Sequence, residues 1–264
     1  MTNDIPVGQG APRQLRVLAV IPARRGSKGV VGKNMKAIGG HPLVGWSIAA
    51  ALESSRISKT IVSTDWKDVA ELSRTIGVEV PWLRSASLSG DEASTVDVVL
   101  DALERERMEG ADYDLIVVLE PTAPLRKQGD IDRIVSVFSR RWNSLDAIVT
   151  AHTATFHPSA LRKRAGDYWE PYCSEIPFVE RRQEGDQAFL PIGHCFAIKP
   201  ETLSTEGTFY AQKSTFFEVE EFQRVELDNQ TDLDIIHTLL NQHRREIAGA
   251  DLLDRIPGKF LGEA

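Results

Sequence analysis

The chain has 264 residues, 42% of them hydrophobic and 26% charged, with two cysteines and a formal net charge of -7. That size suits one large α/β domain, or one domain with an insertion. The acidic balance argues against a duplex nucleic-acid partner, although a local basic cluster can still take a small polyanion. Two cysteines without zinc-type spacing argue against a disulfide scaffold, and no apolar run approaches the roughly 18 residues that a membrane span needs. A cytoplasmic protein with no membrane or nucleic-acid partner is therefore expected.

The first 14 residues carry no apolar signal core and read as a flexible tail. Leu15 to Ala23 (LRVLAVIPA) is a continuous apolar run ending at a turn. Such a run predicts a strand buried on both faces. Arg24-Arg25-Gly26-Ser27-Lys28-Gly29-Val30-Val31-Gly32-Lys33-Asn34 follows at once, with cations at 24, 25, 28 and 33. Ligands of open parallel sheets bind beyond the carboxyl ends of the strands, and glycines let backbone amides face phosphate oxygens. Opposite charges about 4 Å apart gain on the order of 4 kcal/mol at an effective dielectric near 20. The loop thus suits a nucleoside triphosphate. It has neither the Walker spacing nor G-x-G-x-x-G, which argues against a dehydrogenase. Composition alone leaves a solvated basic turn open.

Residues 59–64, 114–119 and 145–151 repeat the strand character. Val96, Val99, Leu100 and Leu103, then Ile131, Ile134, Val135 and Phe138, fall at helical spacing and give one apolar stripe each. This alternation predicts an open, mostly parallel, Rossmann-like α/β sheet with helices on both faces. Asp65, after the second strand, is expected to cap the helix that begins near Trp66. Asp91, Ser94 and Thr95 can cap the next. Two prolines stiffen Glu120-Pro121-Thr122-Ala123-Pro124-Leu125-Arg126, which suits a preorganised pocket wall. Arg126 fits either a ligand contact or an ion pair.

The rhythm breaks at about 156–190, an excursion bearing Phe156, Tyr168, Trp169, Tyr172 and Phe178. Aromatics at this density suggest a partner surface, with an internal lid as the alternative. Residues 193–199 and 214–219 look like returning strands, and His194 fits a ligand contact or a buried structural role. An extended 225–228 would place Glu226 and Asp228 on one face, as hard ligands for magnesium. A surface strand before a capped helix is the competing reading. Leu233, Ile236, His237 and Leu240 predict a last helix, and residues from 248 read as an appendage.

IPARRGSKGVVGKN resembles the opening signature of the acylneuraminate cytidylyltransferases, and the similarity continues through most of 15–240. The resemblance implies a nucleotidyltransferase domain over 15–247. It places Arg24, Lys28 and Lys33 at the triphosphate of CTP, Gly26, Ser27 and Asn34 beside them on the nucleotide, and Arg84, Ala93 and Thr95 at its base or ribose. The block from Glu120 to Arg126 resembles Q-P-T-S-P-L-R and puts Glu120 and Thr122 on the sugar side. Glu120 departs from the usual glutamine, and an ionised glutamate only accepts hydrogen bonds. Arg181-Arg182-Gln183 and Gln187-Ala188-Phe189 resemble R-x-Q and Q-A-F. The Arg182 fork suits a sugar carboxylate, with Gln183 beside it.

Val225-Glu226-Leu227-Asp228 resembles the I-D-I-D metal pair, so the resemblance gives Glu226 and Asp228 to Mg2+. The implied reaction joins CMP to a sialic-acid-like, nine-carbon sugar acid and releases pyrophosphate, with Arg24, Lys28, Lys33 and Asp228 carrying catalysis. The resemblance also implies a homodimer whose arm reaches the other subunit's site. Alternatives are another acidic keto-sugar, of the Kdo, legionaminic or pseudaminic type, or a nucleotide-binding protein without chemistry.

Overall fold

The computed structural model describes residues 12–26, 29–90, 92–180 and 185–256. Its first strand, β1 (Val17–Pro22), is the predicted apolar run. Val17, Ala19 and Ile21 enter one core cluster, while Leu18 and Val20 enter the other. A strand covered on both faces needs apolar side chains at every position, so the run is continuous rather than alternating.

A small hairpin, β2 (Ala37–Ile38) and β3 (His41–Pro42), leads into α1 (Leu43–Glu53). The chain then passes through β4 (Lys59–Ser63), α2 (Lys67–Ile76), α3 (Thr95–Met108), β5 (Leu115–Val118), α4 (Asp130–Arg140) and β6 (Ala147–Thr153). A separate hairpin follows, β7 (Arg162–Ala165) and β8 (Tyr168–Pro171). The return comprises β9 (Phe189–Ile198), α5 (Pro200–Glu206), β10 (Ser214–Glu218), α6 (Gln230–His243) and α7 (Ala250–Asp254).

The main sheet has the order β10-β6-β9-β5-β1-β4. β1 runs parallel to β4 and β5, and β10 runs parallel to β6. Only β9 is antiparallel to its neighbours, β5 and β6. Helices α1, α2, α4, α6 and α7 cover one face through the larger core cluster, and α3 and α5 cover the other. The expected mostly parallel sheet with two helical layers is what forms. Among the described residues no helix is long and apolar enough to cross a membrane.

Three elements differ from expectation. Helix α1 is buried from Leu43 through Ala51, so it carries no polar face and leaves no stripe to read. Strand β9 begins at Phe189, inside the expected excursion. Of the expected appendage, residues 248–256 are described and pack on the core: Ala248, Ala250 and Leu253 are buried, with α7 lying against α1. Gly249 makes this possible. It sits at φ 78, donates its N–H to Glu53 at 2.6 Å, and a Cβ there would fall 2.4 Å from that of Ala49. Only a glycine tolerates both the backbone angle and the approach.

Candidate active site

Beyond the carboxyl ends of β1 and β5 lies a cavity of about 440 Å³. Its walls hold Arg24, Gly26, Lys33, Asn34, Arg84, Ala93, Thr95, Glu120, Thr122 and Asp228. Four segments far apart in sequence thus meet where an open sheet offers its ligand crevice. Ser27, Lys28, Arg182 and Gln183 lie outside the described residues.

The glycine loop begins where β1 ends, and Ala23 still donates to Ser63 O at 2.9 Å. The Asn34 side chain, itself buried, donates to Arg24 O at 2.8 Å and closes the loop on itself. Gly32 turns it at φ 64, a left-handed angle that favours glycine. Gly29 is needed for a different reason, because a Cβ would lie 2.2 Å from Asp228 O. The loop therefore rests against the acidic segment. Asp65 does not cap α2: it accepts the Arg25 N–H at 2.8 Å, while Thr64 Oγ1 takes the amide of Trp66 at 3.0 Å.

On the second wall, Arg84 is buried and directs its guanidinium to Ser63 Oγ at 3.1 Å and to the carbonyls of Ser63 and Leu88. Burial lowers its pKa to about 10, with Asp65 opposing and Arg24 reinforcing the shift. Arg84 therefore shapes the wall through Ser63 and the Leu88 carbonyl. Arg24 spans the opening to Gly90 O at 2.9 Å. Ser94 caps α3, accepting the Asp97 N–H at 3.0 Å, which sets Thr95 at the helix start on the cavity wall.

The acidic side is built around Gly193. Its N–H donates to Glu226 Oε1 at 2.7 Å. A Cβ there would lie 2.4 Å from Glu120 Oε2 and 2.9 Å from Glu226 Oε1, so both carboxylates converge on this glycine. Burial, then repulsion from Glu226, pushes the Glu120 pKa up to about 7, against the pull of Arg126 and Lys33. Burial likewise raises Glu226, partly offset by the Gly193 N–H. Residues 225–228 form no sheet strand, yet Leu227 is fully buried and donates to Thr122 O at 2.8 Å. Glu226 and Asp228 flank it. The Asp228 carboxylate stands 4.0 Å from Lys33 Nζ, which also donates to Leu227 O at 3.3 Å. Asn229 caps α6, in a capping box with Asp232.

Two open questions close. Arg126 is buried and donates to Ser47 Oγ and to the carbonyls of Glu120, Gly193 and His194, so it braces the wall from behind. His194 is buried, bonded through Nε2 to Gln223 O at 2.6 Å, and held neutral by burial, its pKa down to about 3. Neither lines the cavity. Tyr210, which gave no sequence signal, is more than half exposed; partial burial, then the charges of Glu120 and Glu226, raise its phenol. Among the described residues no three His, Cys, Asp or Glu side chains form a metal cage. Asp228 on the wall and Glu226 beside it are hard carboxylates that could hold a divalent ion completing its shell with other oxygens.

Residues 18–252 match the family described as cytidylyltransferase. The CMP-N,N'-diacetyllegionaminic acid synthase of Legionella pneumophila is 35% identical over 63% of this chain and 75% of its own length. An N-acylneuraminate cytidylyltransferase of Streptococcus agalactiae is 30% identical over 85% of this chain. The match spans 53% of that relative, about half its length. A solved CMP:2-keto-3-deoxy-manno-octonic acid synthetase complexed with CTP shares the fold, with a TM-score of 0.64 at 19% identity, over 86% of this chain and 99% of that one.

Proposed function

The chain belongs to the cytidylyltransferase family, and from that premise we propose that this nucleotidyltransferase moves CMP from CTP to a sialic-acid-like, nine-carbon keto-sugar acid. The anomeric hydroxyl oxygen bonds to the α-phosphorus as its proton passes to solvent, the bond to the bridging oxygen breaks, and pyrophosphate leaves. One observation carries the reading: the cationic glycine loop and Asp228 share one cavity, with Lys33 between them.

Arg24, Lys33 and the loop amides bind the phosphates, joined by Ser27 and Lys28 of the same loop. Gly26 and Asn34 keep the loop close and closed. Lys33 and Lys28 stabilise the departing pyrophosphate, the kind of fixed charge that lowers such barriers most. Ala93, Thr95 and the wall shaped by Arg84 hold base and ribose. Glu120 and Thr122 face the sugar, and Arg182 and Gln183 take its carboxylate. Asp228 and Glu226 would hold Mg2+, which when bound supplies positive charge to the phosphate oxygens. Positioning two substrates in one crevice can itself remove several kcal/mol from a barrier.

The relatives named for diacetyllegionaminic and N-acylneuraminic acids support a nine-carbon acid. The exposed arm supports a homodimer, with the aromatic hairpin of one subunit against the other, working in the cytoplasm. Pyrophosphate release from CTP, measured against nine-carbon and eight-carbon keto-sugar acids, tests the reading. Turnover with the nine-carbon acids is expected. Turnover with eight-carbon acids alone would replace the substrate, and silence with every sugar would leave a binding protein.

A further inference from the structure

The exit of β4, Ser63-Thr64-Asp65-Trp66, lines no part of the cavity yet touches both of its nucleotide-side walls. Thr64 Oγ1 donates to Ala23 O at 2.6 Å, and Asp65 Oδ1 accepts the Arg25 N–H at 2.8 Å. The Arg25 guanidinium sits 5.9 Å from the centre of the Trp66 ring, and a Cβ on Gly32 would lie 3.3 Å from that ring's Cη2. On the other side, Arg84 donates its amide to Thr64 O at 2.7 Å and its Nε to Ser63 Oγ at 3.1 Å. Four consecutive residues thus fix the loop and the base-side segment relative to each other.

Asp65 is the charged member of this exit. Arg24 and Arg84 repel each other, and Asp65 attracts Arg84. The loop amide it holds belongs to Arg25, next to the cavity cation Arg24. Cations gathered for a triphosphate repel one another while the site is empty, and a fixed anion behind them offsets that repulsion. We propose that Asp65 is a positioning residue for the nucleotide, holding the glycine loop and its arginines in their triphosphate-binding arrangement before CTP arrives. The inference rests on the loop being the triphosphate site.

Calorimetry with CTP alone, steady-state kinetics and thermal melting of Asp65→Ala, Asp65→Asn and Lys33→Ala test it. Asp65→Ala is expected to weaken CTP binding about tenfold, as for the loss of one charge-assisted hydrogen bond. The KM for CTP rises with it, while the KM for the sugar stays within twofold of wild type. Asp65→Asn keeps an oxygen acceptor without charge and is expected to recover part of the affinity, to about threefold below wild type. If Asp65→Ala does not fold, Asp65→Asn decides alone. CTP affinity unchanged in the Asp65 variants while Lys33→Ala loses it would overturn the proposal. So would equal rises in both KM values, the mark of a merely structural residue. Unchanged affinity in Lys33→Ala would instead strike the loop assignment itself.

Discussion

The glycine loop and the aromatic arm both leave the same sheet, and they are held in opposite ways. The loop is tied from behind: Ala23, Arg25 and Asn34 bond to fixed partners, and Gly29 presses on the Asp228 carbonyl. Among the described residues, the two strands of the arm hairpin pair only with each other. Tyr168 and Trp169 at its tip are 81% and 77% exposed. A segment braced by the core is preorganised for a small ligand, because little is left to order on binding. A segment that leaves large aromatic rings in water is shaped for a second surface. The proposed function uses both, one for a nucleotide and one for a subunit.

The sharpest test of the loop side is Asp228→Asn. It is expected to lower turnover about a thousandfold with the melting temperature kept, because the lost charge lines the proposed nucleotide cavity and is exposed rather than packed in the core. Pyrophosphate release and thermal melting check both halves. Lys33→Ala comes next, with kcat/KM for CTP down about a hundredfold, since the rest of the loop keeps its brace. Retained kcat/KM would mean that the loop, however well held, grips nothing.

On the arm side, the double variant Tyr168→Ser with Trp169→Ser is expected to sediment as a monomer where the wild type is a dimer. CTP affinity should stay within about twofold, since among the described residues the arm and the loop share no hydrogen-bond partner. A dimer of unchanged stability would end the contrast. The smallest effect concerns Glu120. Its folded pKa, up at about 7, lies above the usual 4.5. The protonated form is the one the fold favours, so its contribution is full below about pH 4.5 and lost as pH rises through 7. Glu120→Gln should therefore gain about 2–3 kcal/mol on the wild type between pH 4.5 and 8, read as a widening gap in melting temperature.

Much of the nucleotide side is legible in the sequence because it is local. Arg24, Gly26, Lys33 and Asn34 sit in one stretch after one apolar run, and their common wall follows from that stretch lying at a strand end. Gly193 and Asp65 are not legible in this way. Gly193 matters through Glu226, 33 residues on, and Asp65 through Arg25, 40 residues back. Asp65 stands where a helix cap is expected, and only the nearness of the loop turns its carboxylate elsewhere. Helix α1 hides for another reason: burial on all sides erases the period that marks a surface helix.

By itself the sequence determines which segments must be covered and on how many faces, since that is a matter of hydrophobic order along the chain. It also determines that cations and glycines gather in one loop. The tertiary structure alone decides that β9 enters the sheet against its neighbours, that the last short helix closes on α1, and that Glu120 and Glu226 crowd one glycine. These depend on distances between residues far apart in the chain, and charge repulsion, desolvation and steric fit act through space.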